Sequence, residues 1–232
     1  MSTNPPAGPR HRRATVVLVH DAFADPASWA SVTAELGASD IAVLAPANPL
    51  RGLDSDAPHL SGIVQGIGGP VVLVGHGYGG AVVTEAASGV DNVTALGFVA
   101  GLGLDAGESW LDIAARFPDV PQATVGDTAI RLDRRVFAEV YAADLAHAAA
   151  DTLAVRQRPA SRAVLTGAVR QPGWRQLPCW YAIATADRVV HPIAQRFMAM
   201  RMAAVEIEID ASHAVVLSQP AAIAQMIMEA LR

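Results

Sequence analysis

Val71-Val72-Leu73-Val74-Gly75-His76-Gly77-Tyr78-Gly79-Gly80-Ala81 is the stretch that decides how this chain is read. Its four leading apolar residues, three of them β-branched, suit a short strand buried on both faces. Gly68-Gly69-Pro70 closes off whatever precedes it, and the glycines at 75, 77, 79 and 80 demand a sharp turn before a helix begins. A strand that runs through a tight turn straight into a helix belongs to a parallel sheet with helical crossovers. The residue at the tip of that turn, Gly77, has no side chain.

Working outward, residues 14–20 (Ala-Thr-Val-Val-Leu-Val-His) form a second apolar run, predicted as a central strand ending at Asp21. Asp25-Pro26 supplies an N-cap with proline at the first helical position, and the helix predicted over 27–36 stops at Gly37. A strand over 41–45 closes at Pro46 and Pro49, and helices are expected over 57–67 and 80–88, with a strand over 95–100. This alternation predicts an α/β protein built on a doubly wound, mostly parallel sheet. Ligands of such sheets bind beyond the carboxyl ends of the strands, where His20, Asp21 and Gly77 fall.

From 102 to 176 the pattern turns helical, with helices expected over 110–116, 134–142, 145–156 and 161–169. An insertion of this kind reads as a lid that shapes a pocket and excludes water; the alternative is extra helical packing with no gating role. The sheet resumes over 179–185, with Asp187 in the following loop and a helix over 193–202. The strand over 205–210 alternates apolar and acidic residues, as a half-exposed strand toward the sheet edge does. Ala211-Ser212-His213 and a closing helix over 220–231 complete the chain.

Composition narrows the function classes. The 232 residues suit one domain over 14–232, with the Pro- and Arg-rich residues 1–13 read as a disordered tail. No apolar run approaches the roughly 20 residues of a membrane span, so the expectation is a soluble, cytoplasmic protein with no membrane partner. A net charge of -5 and a pI near 5.7 offer no basic field for nucleic acid. The single cysteine, Cys179, allows no internal disulfide; it opens its strand, away from the expected site, and reads as a buried structural thiol. Scattered histidines without C-x-x-C or H-E-x-x-H give no expectation of a metal or other cofactor. The expected partner is a small-molecule substrate, and nothing in the sequence fixes an oligomeric state.

Val16-Val17-Leu18-Val19-His20, Val72-Leu73-Val74-Gly75-His76, Tyr78-Gly79-Gly80, Ala186-Asp187-Arg188 and Ala211-Ser212-His213-Ala214 occur in this order over nearly the whole chain. In these motifs it resembles the small bacterial α/β-hydrolases of the esterase and lipase-like type, whose nucleophile elbow reads G-x-S-x-G. The resemblance implies a small ester, lactone or related acyl or carbonyl substrate. It makes His213 the general base, Asp187 the carboxylate that orients it, and position 77 the nucleophile. The oxyanion hole would come from the N–H of Tyr78 and that of Ala22 or Phe23, with His76, Trp29 and Trp110 around the substrate pocket.

Two departures accompany the resemblance. Gly77 stands where the family has its serine, keeping a turn that glycine adopts freely while lacking the attacking hydroxyl. Asp21 stands where the family commonly has glycine, which puts a carboxylate beside the expected oxyanion hole as a candidate acid or base. Three readings follow: a hydrolase whose serine has been exchanged, an enzyme that uses the His213 and Asp187 dyad without a covalent serine, or a catalytically silent small-ligand binding protein. Gly75-x-Gly77-x-x-Gly80 also matches the dinucleotide fingerprint of an NAD(P)-dependent oxidoreductase. That reading leaves Asp187 and His213 unexplained, and it lacks an acidic residue at the end of the next strand.

Overall fold

Six short strands pair side by side in the order β2-β1-β3-β4-β5-β6, every pair parallel. They are β1 (Thr15–Val19), β2 (Ala42–Leu44), β3 (Val71–His76), β4 (Val93–Val99), β5 (Cys179–Ala184) and β6 (Val205–Ile209). The structure, a computed structural model, describes residues 13–117 and 129–232; of the expected tail over 1–13, residues 1–12 lie outside the described residues. β6 lies at a sheet edge with Val205 half exposed, in keeping with its alternating sequence.

The strands are apolar on both faces because both faces are covered. Alternate residues of β1 enter different cores, Val17 and Val19 on one side and Val16 and Leu18 on the other. The first core packs against α2 (Leu53–Gln65), α3 (Tyr78–Ala87) and α8 (Pro192–Arg201). The second packs against α1 (Ala30–Ala38) and α10 (Pro220–Ala230), the latter preceded by the short α9 (Val215–Ser218).

Some boundaries differ from the sequence expectation. Asp25 does cap a helical turn, accepting from the Ala27 N–H at 2.9 Å, but that turn is 3-10 (Pro26–Trp29) before α1 begins. Gly37 does not stop α1, which runs on to Ala38 and ends where Asp40 enters the left-handed region at φ 57°. α2 starts at Leu53, several residues before the expected start, with Asp54 and Asp56 in its first turn.

Between β4 and β5 lie α4 (Trp110–Arg116), α5 (Arg134–Tyr141), α6 (His147–Arg156) and α7 (Ala163–Thr166). Ser109 caps α4 in a reciprocal pair with Asp112, and Asp133 caps α5. Among the described residues of this segment, an isolated antiparallel bridge joins Ile130 to Ala160.

The register sets what meets at the carboxyl end. Val19 of β1 pairs with Gly75 of β3, so residues 21 and 77 emerge side by side at the point where the strand order reverses. Ala184 of β5 pairs with Ile209 of β6, which brings the loops bearing Asp187 and His213 out together. α3 closes this end backbone to backbone: a Cβ at Gly75 would lie 2.3 Å from the Gly79 carbonyl, and one at Gly79 2.3 Å from the Val19 carbonyl oxygen. Gly75→Ala is therefore expected to cost about 1–3 kcal/mol or more, seen as a lower midpoint in urea denaturation; an unchanged midpoint would contradict this packing.

Candidate active site

The turn between β3 and α3 places Gly77 at φ 52° and ψ -121°, a conformation that side chains rarely adopt. A Cβ built at this position would lie 2.1 Å from Asp21 Oδ1. Asp21 therefore fills the space into which an elbow side chain would project. Its carboxylate takes the Tyr78 N–H on Oδ1 at 2.9 Å and the Phe23 N–H on Oδ2 at 3.1 Å. Tyr78 and Phe23 are among the residues expected to supply oxyanion donors, and the N–H groups of both are taken by the protein's own carboxylate.

His20 fixes the backbone of that turn. Its Nε2 accepts from the Asn48 N–H at 3.0 Å, so Nδ1 carries the proton and donates to the Asp21 carbonyl at 2.8 Å. Burial lowers the His20 pKa, which keeps the ring neutral in this role.

His213 lies between two carboxylates. Its Nδ1 donates to Asp187 Oδ2 at 2.7 Å, and its Nε2 is 3.6 Å from Asp21 Oδ2. Both His213 and Asp21 have no exposed surface. Burial alone opposes charge on the imidazole, yet Asp187 and Asp21 together outweigh it and raise the His213 pKa to about 10. Asp21 is driven well below the usual carboxylate range: burial works against ionisation, and the His213 imidazolium and the Tyr78 N–H overcome it. The resting site is thus an imidazolium held by two carboxylates.

A buried charge cluster of this kind is tolerable only when its remaining lone pairs are satisfied. Asp187 accepts from the Val189 N–H at 2.7 Å, the Val190 N–H at 3.0 Å and Gln195 Nε2 at 2.8 Å. Gln195 also accepts from the Ala184 N–H and donates to the Val190 carbonyl, tying α8 to the Asp187 loop. His76 donates from Nε2 to the His213 carbonyl at 2.8 Å and stacks on its ring at 4.6 Å. Burial and the neighbouring imidazolium lower the His76 pKa to about 3, so it stays neutral.

The aromatic residues fall differently from the expectation. Trp29 packs edge-on to His76 at 6.2 Å within the second core, and Trp110 packs on Phe23 at 6.0 Å. None of His76, Trp29 or Trp110 lines the cavity beside the site. That cavity, about 120 Å³, is bounded by Phe23, Ala24, Ala27, Tyr141, Leu153 and Leu217, with Asp25, Ser28 and Arg156 also on its wall. Tyr141, from the helical insertion, sets its ring 4.9 Å from that of His213. In the sequence it is one more aromatic residue on an apolar helix face, and Gln195 one more helical polar residue, so neither carried a signal.

The other candidates stay structural. Cys179 is buried at the start of β5, and burial pushes its thiol up to about 12. Among the described residues no group of three His, Cys, Asp or Glu side chains is placed to hold a metal ion. No helix among them is long and apolar enough to cross a membrane. The glycines of the dinucleotide-like motif serve packing within the turn: Gly75 meets Gly79, and Gly80 meets the Leu102 backbone at 2.7 Å.

The coupling between positions 21 and 77 is testable. Gly77→Ser alone should destabilise the fold, and adding Asp21→Gly should recover part of the loss, giving a double-mutant coupling of about 0.5–3 kcal/mol in urea unfolding; strict additivity would contradict the steric argument. His213 tests the electrostatics. Because its folded pKa is raised, its stabilisation is complete below about 6.5 and is lost as pH rises through about 10. In NMR titrations its ring should remain protonated at pH 8, and Asp21→Asn should move the midpoint downward.

Residues 16–226 match the family model described as the Alpha/beta hydrolase family. No curated protein sequence matches the chain significantly. Among solved structures, a mutant of polyneuridine aldehyde esterase superposes with a TM-score of 0.80 at 15% identity, over 94% of this chain and 99% of its own. An extracellular alpha/beta-hydrolase from a Paenibacillus species gives 0.77 at 19% identity, over 94% and 98%. Tomato methylketone synthase I, complexed with 2-tridecanone, gives 0.78 at 16% identity, over 94% and 97%. With its parallel sheet, its glycine-rich β3–α3 turn and its family-model match, the chain belongs to the alpha/beta hydrolase family.

Proposed function

We propose that this chain is a hydrolase for a small ester or lactone in which the nucleophile stands not at position 77 of the elbow but at Asp21, in the loop that follows β1. One observation carries the reading: the Asp21 carboxylate fills the space in front of Gly77, rests on the Tyr78 and Phe23 N–H groups, and is 3.6 Å from His213. Carboxylates are competent covalent nucleophiles when a base stands ready to release the intermediate.

The occupied donors set the direction of attack. The Tyr78 and Phe23 N–H groups are both taken by Asp21, so attack at a substrate's acyl carbon would lack these backbone donors for its oxyanion. Attack at the saturated carbon on the alkyl side develops no oxyanion. Asp21 Oδ2 forms a bond to that carbon, the C–O bond breaks, and the carboxylate leaves with the His213 proton. Asp21 is then an ester, and His213 is neutral. His213 next takes a proton from water as the water oxygen adds to Asp21 Cγ, and the oxyanion forming on Oδ1 already sits on the Tyr78 N–H. Collapse expels the alcohol and restores the Asp21 carboxylate.

The complete burial of Asp21 and His213 favours one other reading, a closed ion-paired core in a small-ligand binding protein. The two are separated by limiting β-butyrolactone in heavy-oxygen water. If Asp21 is the nucleophile, the label enters Asp21 in the first turnover, His213→Gln accumulates an Asp21 adduct by peptide mass spectrometry, and Asp21→Asn loses about 10⁴-fold or more in turnover. Label in the product with none in Asp21 would sink the nucleophile. Neither turnover nor adduct, with ligand still bound, would favour the binding protein.

A further inference from the structure

Resting on that reading, we infer that Tyr141 is a catalytic residue of the second half-reaction, giving its hydroxyl proton to the alcohol oxygen as it leaves Asp21. The inference starts from an orphan. The Tyr141 hydroxyl is buried with no hydrogen bond of normal length, and Nε2 of His213 likewise has only the 3.6 Å contact with Asp21 Oδ2. Phenylalanine would fill the same volume without burying an unpaired donor. Two such donors beside one carboxylate form a site for a polar atom that arrives with a ligand.

Tyr141 is also held rigidly in place. Its carbonyl accepts from the Ala214 N–H at 2.9 Å and from Ser212 Oγ at 3.0 Å, the residues on either side of His213. Its ring stacks on Phe137 at 4.8 Å and meets His213 at 4.9 Å. The helical insertion and the histidine loop therefore move as one unit at this point.

The electrostatics time the transfer. Burial first, and then the Asp21 and Asp187 carboxylates, hold the Tyr141 pKa well above its ordinary value, so the resting phenol keeps its proton. Water addition puts a negative charge back on Asp21 Oδ1, so the phenol keeps its proton until the bond from Cγ to the alcohol oxygen breaks and the charge passes to that more basic oxygen. In the collapse, the bond from Asp21 Cγ to the alcohol oxygen breaks, and that oxygen takes the Tyr141 proton. The phenolate then takes the proton of the newly formed Asp21 carboxylic acid. Protons balance, and the resting imidazolium and carboxylate return.

Tyr141, with Phe23, also walls a neighbouring cavity that Asp21 and His213 do not line, and in this proposal that cavity receives the body of the alcohol. At about 120 Å³ it is somewhat smaller than the roughly 150 Å³ apolar cavity that takes up benzene. Its walls are apolar apart from Ser28 and an ion pair between Arg156 and Asp25 at 2.7 Å, whose charges satisfy each other. The alcohol is therefore small and neutral, with an apolar body no larger than a benzene ring.

Benzyl acetate suits this description and separates the two half-reactions. In the wild-type protein, acetate and benzyl alcohol should appear together. In Tyr141→Phe, acetate should appear in a burst equal to the enzyme, at a rate within about threefold of wild type, followed by a steady state slower by about 10²-fold or more. A benzyl adduct on Asp21 should accumulate in parallel. Unchanged turnover in Tyr141→Phe, or an equal slowing of burst and steady state, would overturn the role of Tyr141 while leaving Asp21 intact. Wild-type protein that never labels Asp21 would overturn both.

Discussion

Two backbone N–H groups, from Tyr78 and Phe23, converge on one carboxylate, and the rest of the site is arranged around that contact. The donors lie at the ends of neighbouring parallel strands, brought level by the pairing of Val19 with Gly75. In such a fold they would ordinarily await the oxygen of a substrate. Here Asp21 occupies them, and its Oδ1 lies where a side chain at position 77 would begin. Asp21 and Gly77 are thus a single structural exchange, in which the carboxylate can be seated only because the turn carries no Cβ.

The carboxylate in turn reorganises its surroundings. With Asp187 on one side and Asp21 on the other, His213 keeps its proton to about pH 10. A protonated imidazolium is a poor base, so in the proposed reaction His213 would act as a base only after the Asp21 charge is consumed. The same charge holds Tyr141 protonated. In the proposed reaction, loss of the Asp21 negative charge on esterification would free His213 to accept a proton from water. The cluster survives burial because its oxygens are met by N–H groups and by Gln195.

Much of this was legible in the sequence, for reasons of periodicity. Apolar runs at 15–19, 71–76 and 179–184 mark strands buried on both faces. Motif order placed Asp187 and His213 at neighbouring strand ends. The illegible parts depend on direction in space. Trp29 looked like a pocket residue but points into the second core, and Phe23 rather than Ala22 reaches Asp21 with its N–H. Tyr141 lies in a helical insertion whose spacing says only that one face is apolar.

The sequence by itself determined the parallel α/β architecture, the glycine turn and the pair of departures at positions 21 and 77, because these follow from hydrophobic pattern and from the presence or absence of a side chain. Only the tertiary structure decided that the two departures are one. Residues 21 and 77 are far apart in the chain, and nothing local to either says that a carboxylate oxygen and a Cβ would compete for the same space. That competition arises when β1 and β3 pair in register and α3 closes over them, and it leaves the Asp21 carboxylate in front of Gly77 and facing His213.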